Sequence, residues 1–299
     1  MTSASVVSVV IPAYNRAEAI GTALDAALAQ TVTDLEVIVV DDASTDATVE
    51  IAQSYADPRV RVVRHDTNRG GNAARRTGIA AGTSRFIAFL DSDDSWEPTK
   101  LERQLRRLEE AGDDYGLCYC WFDFILDDGR RLPALRGTSE GVAVRELWTS
   151  NIIGTFSVAL VRRAALEAVG GPDPGLPSCQ DWDLYLRMNE RTGMCVVPEV
   201  LVSYRVAQSD PHRISSRGSS VAAGHRQLYR RVRTAYPTMS QVAVLRSQHT
   251  FLDAFADAGA PADAFRVIRD VPPTAWPTRS GTRIGRQVVR AVRNRARRA

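Results

Sequence analysis

Membrane-length apolar runs, zinc-type cysteine spacings and phosphate-binding glycine loops are all missing from this 299-residue sequence. The most apolar stretches, such as residues 6–13, fall far short of the about 20 residues that cross a bilayer. The opening Met1-Thr2-Ser3-Ala4-Ser5 lacks the basic region of a secretory signal, so the cytoplasm is the expected compartment. Only four cysteines occur, with no C-x-x-C pair and no His-rich partner, which argues against a zinc site. Cys118 and Cys120 fall on one face of an expected strand, Cys179 and Cys195 stand apart, and buried reduced thiols are expected. No G-x-G-x-x-G and no G-x-x-x-x-G-K-[ST] is present, so dinucleotide binding and P-loop chemistry have little support. Acidic residues stop at Asp270, and eight arginines follow (Arg279, Arg283, Arg286, Arg290, Arg293, Arg295, Arg297 and Arg298). Without those eight the net charge falls from +3 to −5, so the positive total describes the tail and not the body.

What is present is alternation. Apolar β-branched runs at 6–11, 35–40, 60–64 and 85–90 are separated by helical patterns at 18–29, 46–55, 71–81 and 98–110. Continuous apolar strands between helices predict a parallel sheet covered on both faces. Residues 117–126, 155–161 and 195–204 read as further strands and 180–190 as a helix, which suggests a mixed α+β extension. From residue 219 the pattern is helical, broken by prolines. The expected division is a domain over 1–218, with halves near 1–110 and 111–218, and a helical extension over 219–299.

Ligands of open α/β sheets bind beyond the carboxyl ends of the strands. There the chain delivers Pro12-Ala13-Tyr14-Asn15-Arg16, Asp41-Asp42-Ala43-Ser44-Thr45-Asp46, His65-Asp66-Thr67-Asn68-Arg69-Gly70-Gly71 and Asp91-Ser92-Asp93-Asp94. Three carboxylates in four residues repel one another unless a cation joins them, and hard oxygens suit magnesium or manganese. Alone, the same run also reads as a solvated acidic turn before the helix at Pro98. Its place at a strand end favours the cation site. Ser44 and Asp46 are expected to cap the helix that follows them, leaving Asp41 and Asp42 free. The amides at Gly70-Gly71, with Arg75, suit a diphosphate. His65, His225 and His249 have no evident partner.

The ordered motifs Val9-Val10-Ile11-Pro12-Ala13-Tyr14-Asn15, Val39-Val40-Asp41-Asp42-Ala43-Ser44-Thr45-Asp46, Ala74-Arg75-Arg76-Thr77-Gly78-Ile79 and Phe89-Leu90-Asp91-Ser92-Asp93-Asp94 resemble the signatures of family 2 glycosyltransferases. The resemblance covers about residues 6–110 and continues, more weakly, to about 206. It implies a GT-A fold: a Rossmann-like nucleotide-binding sheet with a mixed α+β acceptor half. It also implies a metal-dependent, inverting transfer from a nucleoside-diphosphate sugar, UDP-sugar favoured, to a glycan or lipid-linked acceptor in cell-surface polysaccharide or glycoconjugate synthesis. By the same resemblance Pro12, Tyr14 and Asp42 line the base pocket, Arg75 faces the diphosphate, Asp91 lies near ribose and metal, and Asp93 ligates the metal. Asn15 and Asp183 count as further substrate-binding residues, and Asp181 is the catalytic base.

The chain departs from the family at three places. Arg76 stands where the family usually has Asn, and Gln180 stands where it has Glu before Asp181. Ala207 replaces a His expected two residues past Arg205, and His212 is the candidate third metal contact. The Gln180 and Ala207 departures keep open a nucleotide-sugar-binding protein that has lost catalysis. A sugar-phosphate nucleotidyltransferase would need a glycine-rich, basic loop after the first strand, and Pro12-Ala13-Tyr14-Asn15-Arg16 is not one.

Over residues 281–299, helical spacing puts Arg283, Arg286, Arg290, Arg293 and Arg297 on one face, opposite Ile284, Val288, Val289, Val292 and Ala296. Such a basic amphipathic helix suits an anionic membrane surface, peripheral on its inner face, better than nucleic acid, for which aromatic interleaving is lacking. The full chain is therefore expected to pellet with anionic vesicles and a chain ending at Pro277 to stay behind. Equal pelleting of the two would remove the membrane role.

Overall fold

The computed structural model describes residues 5–206 and 217–270. His212, Ala207 and the arginine tail lie outside the described residues. The chain divides into two compact units, which among the described residues comprise 5–143, 152–174 and 184–206 in one and 144–151, 175–183 and 217–270 in the other. The helical C-terminal unit thus also takes in two short segments from before residue 218.

The first unit alternates as β1 (Val7–Ala13), α1 (Ile20–Leu28), β2 (Leu35–Asp41), α2 (Thr48–Gln53), β3 (Val60–Arg64), α3 (Gly71–Ala81) and β4 (Phe86–Phe89). The short β5 (Ser95–Trp96), α4 (Lys100–Ala111), β6 (Tyr115–Leu126) and β7 (Arg131–Pro133) follow. Later come β8 (Ala159–Arg162), α6 (Arg163–Ala168) and β9 (Gly193–Val206), with α5 (Val144–Leu147) before β8 and α7 (Gln180–Asn189) before β9 in sequence. The strands lie in the order β3-β2-β1-β4-β8-β6-β9-β5, with β7 hairpinned onto β6. β1 to β4 are mutually parallel. β8 runs antiparallel to both β4 and β6, while β6 and β9 are parallel. Val9, Val10, Ile11, Ile38, Val39 and Val40 are completely buried, as strands covered on both faces require. Burial of each such side chain stabilises the fold by about 1.5–3 kcal/mol.

Pro12 falls inside β1 rather than after it, opposite Val40 of β2. This costs no ladder bond. The Val10 carbonyl accepts Leu90 N–H, so Pro12, two residues on, turns its nitrogen to the same β4 side, where pairing has ended at Phe89. On the opposite side the ladder continues, with Ala13 O accepting Asp42 N–H. Gly78 lets α3 approach β1 closely: a Cβ there would meet Val10 Cγ1 at 2.4 Å. One turn earlier on the same face stands Arg75, so this contact sets its reach.

The expected strand over 155–161 divides into a 3-10 turn (Phe156–Val158) and β8. Thr155 caps the turn through its hydroxyl, which accepts Ser157 N–H and so draws the chain out of the strand. Cys195 does not stand apart, because it lies directly opposite Cys118 in the β6–β9 register. All four thiols are free.

The second unit holds α8 (Gly218–Arg233), α9 (Gln241–Asp257) and α10 (Pro261–Arg269). Trp182 stacks on Phe251 with centroids 5.5 Å apart and donates its indole N–H to Leu147 O at 2.7 Å. Arg226 grips Asp263 through two charge-assisted bonds of 2.8 and 2.6 Å, joining α8 to α10. His225 is not partnerless, since its Nδ1 lies 2.9 Å from Val221 O and 3.2 Å from Cys179 Sγ. Burial pushes the Cys179 thiol up to about 12 and lowers the His225 imidazole. Among the described residues no helix is long and apolar enough to cross a membrane.

Lys100, the single lysine of the sequence, is completely buried at the start of α4. Its ammonium donates to Gln104 Oε1 at 2.8 Å and sits 4.0 Å from the centre of the Trp96 ring. Burial lowers its pKa from 10.5 to about 8. The unfolded chain holds this proton more tightly, so the charged form weakens the fold below about 8 and stability rises with pH from there to 10.5. In urea unfolding at pH 7.5 and pH 10, the protein is expected to gain stability relative to Lys100→Met over that interval. Parallel pH curves for the two would show that Lys100 does not titrate this way.

Candidate active site

The carboxyl ends of β1, β2, β3 and β4 converge on one rim, and the loops there are fastened to one another. Asn15, at φ 51°, is held by Ser44 Oγ on its N–H at 2.9 Å and by its own Oδ1, which accepts Thr45 N–H at 2.9 Å. Arg16 N–H donates to Thr48 Oγ1 at 2.7 Å and Ala17 N–H to Asp46 Oδ2 at 3.0 Å. Ser44 therefore does not cap α2, which begins only at Thr48. Asp46 does accept Thr48 N–H, at 3.1 Å. The two loops expected around a base, with Pro12, Tyr14 and Asn15 on one, form a single polar lattice.

Asp41 and Asp42 are not left free. The Asp41 carboxylate is fully buried, accepts Ser44 N–H at 3.2 Å and faces Arg64 Nε at 3.3 Å. Asp42 is 3% exposed. One oxygen meets His65 Nδ1 at 2.7 Å and Arg69 N–H at 2.9 Å, and the other accepts Gly70 N–H at 2.7 Å. His65 closes the chain through Nε2 to Thr77 Oγ1 at 2.9 Å, so its partners come from two other segments that sequence separation concealed. Gly70, at φ 87° in the left-handed region, turns the backbone so that α3 can start. Asp42 thereby fixes the entry to the helix that carries Arg75.

Arg75 is buried over the Phe156 ring, 4.0 Å from its centre. It pairs with Asp91 Oδ1 at 2.5 Å and approaches Asn72 Oδ1 at 3.4 Å. Asn72 in turn donates to Asp173 O at 2.7 Å. Arg76, outside the family pattern, donates to Gly170 O at 2.6 Å and so helps hold the same loop. Asp91 also accepts Thr155 Oγ1 at 3.2 Å, and its N–H donates to Ser157 Oγ at 3.0 Å. Asp94 is buried, accepting Ser157 Oγ–H at 2.6 Å and Arg205 N–H at 3.2 Å. Burial, with the charges of Asp93 and Asp91, pushes its carboxyl well above the ordinary range. Thr155, Phe156 and Ser157 join the site although their sequence carries only the pattern of a plain strand.

These residues fit a hard divalent cation. Asp91, Asp93 and Asp94 offer hard carboxylate oxygens within four residues, although Arg75 already pairs with Asp91. Among the described residues no three His, Cys, Asp or Glu side chains form a ready cage. An ion at Asp91 and Asp93 would need further oxygens from a ligand, as magnesium commonly takes from phosphates.

Asp181 and Asp183 belong to the second unit, in the first turn of α7. Asp181 Oδ1 accepts Trp182 N–H at 2.7 Å. Asp183 is buried and faces Arg231 at 3.8 Å. Gln180, in the place of the family's Glu, donates to Leu176 O at 2.8 Å.

The family described as glycosyl transferase family 2 matches residues 8–170. Succinoglycan biosynthesis protein ExoO of Rhizobium meliloti is 44% identical over 126 residues, which cover 42% of this chain and 36% of that protein. Amylovoran biosynthesis glycosyltransferase AmsB of Erwinia amylovora is 34% identical over 194 residues, covering 61% of this chain and 64% of its own. The chain thus spans between about a third and two thirds of the length of these curated relatives. Among solved structures, TarS 1–349 of S. aureus in complex with UDP superposes with a TM-score of 0.60. It is 19% identical, and the match covers 98% of this chain and 91% of that one. The architecture is accordingly of the GT-A type, α/β with a mixed sheet and C-terminal helices, as expected.

Asp42→Asn tests whether that carboxylate is structural. An amide cannot accept from both backbone N–H groups and the imidazole, so stability should fall by about 1–3 kcal/mol in denaturant titration. An unchanged midpoint would mean that the three bonds contribute nothing to folding.

Proposed function

The chain belongs to glycosyl transferase family 2, and from that membership we propose that it transfers a sugar from a nucleoside diphosphate, UDP favoured, to an acceptor hydroxyl with inversion. The observation that carries this reading is the Arg75–Asp91 pair at the end of β4, beside the carboxylates of Asp93 and Asp94. A cation and an acidic metal site next to each other are what a departing diphosphate requires, because negative charge grows on it as the glycosidic bond breaks. A magnesium or manganese ion at Asp93 and Asp91 would supply further positive charge against that diphosphate. Arg75 holds the phosphates, and the loops around Pro12, Tyr14, Asn15 and Asp42 receive the nucleoside. Asp181 takes the proton of the acceptor hydroxyl as it attacks the anomeric carbon from the opposite side, and Asp183 supports substrate binding. One displacement inverts the centre without a covalent sugar–enzyme intermediate.

A glycan or lipid-linked acceptor in cell-surface polysaccharide synthesis is the proposed partner. The names of ExoO and AmsB, both of polysaccharide biosynthesis, support that class. TarS has been solved in complex with UDP and with UDP-GlcNAc, which supports the donor class. A cytoplasmic protein resting on anionic lipid through its arginine tail completes the reading.

Thermal denaturation with UDP and UDP-sugars, with and without manganese, tests the scheme. A ligand at a hundred times its dissociation constant stabilises by about 2.7 kcal/mol. Such a shift is expected with manganese and should be lost in Asp93→Asn. Asp181→Asn is expected to keep UDP binding and to lower turnover by about 10²–10⁴-fold. Turnover that survived this change would exclude Asp181 as the base, and no metal-dependent shift with any nucleotide would exclude the donor site.

A further inference from the structure

Beyond the residues assigned above, the geometry points to the turn Thr155-Phe156-Ser157 as the element that positions Asp91 and Arg75 for the diphosphate. This inference rests on the proposed donor site. It begins with strand direction. β8 is antiparallel to β4, pairing Ala88 with Leu160 and Phe86 with Arg162. The residues that precede β8 therefore run beside the residues that follow β4. Continuing the register by three places sets Ser157 opposite Asp91. The ladder has ended there, and the Ser157 hydroxyl stands in for a strand carbonyl by accepting Asp91 N–H at 3.0 Å.

Each residue of the turn has a separate contact. Thr155 Oγ1 donates to Asp91 Oδ2 at 3.2 Å, which orients the carboxylate whose other oxygen holds Arg75. Phe156 lies beneath the Arg75 guanidinium at 4.0 Å. Ser157 joins the Asp91 backbone to the buried Asp94 carboxyl at 2.6 Å. Three consecutive side chains thus reach the carboxylate, the guanidinium and the backbone between which a metal diphosphate would sit.

The turn is itself fixed by buried groups. Tyr185 OH donates to Thr155 O at 2.8 Å, Trp96 Nε1 to Ser157 O at 2.9 Å and Gln104 Nε2 to Val158 O at 2.8 Å. Ala159 N–H donates to Phe156 O. Phe89 and Tyr185 flank the Phe156 ring edge-on, with centroids 5.2 and 6.2 Å away. Lys100 holds the Gln104 amide from behind at 2.8 Å. With every carbonyl from 155 to 158 occupied, the hydroxyls of Thr155 and Ser157 keep their directions, as groups that orient metal-site ligands must.

The test is calorimetric titration of UDP, with and without manganese, into the wild type, Ser157→Ala, Ser157→Thr, Thr155→Val and Thr155→Ser, with melting temperatures taken alongside. Ser157→Ala and Thr155→Val are each expected to weaken manganese-dependent UDP binding by about 10-fold or more. Metal-free UDP affinity should stay within about two-fold, and the conservative Ser157→Thr and Thr155→Ser should restore binding; a general loss of packing would not produce that split. If Ser157→Ala does not fold, the nearly isosteric Thr155→Val and its rescue decide. Folded variants that bind UDP and manganese as tightly as the wild type would overturn the positioning role. A wild type that binds no UDP under either condition would instead overturn the donor site itself, and the positioning role with it.

Discussion

Between β4 and β6 the sheet admits a strand running the opposite way, and the arrangement of the rim depends on that reversal. In a wholly parallel sheet, a strand beside β4 would begin at the end remote from the acidic segment. Because β8 is reversed, its beginning lies beside the end of β4, and a side-chain-rich turn comes to flank Asp91 and Asp94. The turn can be rigid there because Trp96, Gln104 and Tyr185 reach it from three different elements through the buried interior.

Charge is handled in the same economical way. Unpaired carboxylates in a buried rim are costly, and here most of them take backbone N–H donors. Asp42 accepts two amides and an imidazole, Asp41 accepts Ser44 N–H, and Asp94 accepts Arg205 N–H. Side chains that attract attention as ligand contacts also build the loops that present the remaining groups. Arg75 combines both tendencies, stacked on Phe156 and paired with Asp91 at the surface of the acidic segment.

The parallel half was legible because burial on both faces leaves a one-dimensional trace: β1, β2 and β4 are mainly apolar, interrupted only by Ser8, Glu36 and the closing Asp41, and polar residues follow each strand. Boundaries were less legible where a side chain competes with the ladder. Thr155 looks β-favouring in sequence, yet its hydroxyl caps a turn. Ser44 looks like a helix cap, yet it holds Asn15 from another loop. His65 looked solitary because its partners are 23 and 12 residues away.

By itself the sequence determined the alternation of elements, the four rim motifs and the family they resemble, since these rest on local periodicity and residue order. Tertiary structure decided which rim groups touch. Asp91 meets Arg75, Thr155 and Ser157 because a strand 70 residues later pairs antiparallel with β4. Pairing direction and register arise from burial and hydrogen-bond closure over the whole sheet, and no short window of residues encodes them. Asp93 enters as a proposed metal ligand from the resemblance of its motif alone, whereas the orientation of its neighbour Asp91 is a property of the folded chain.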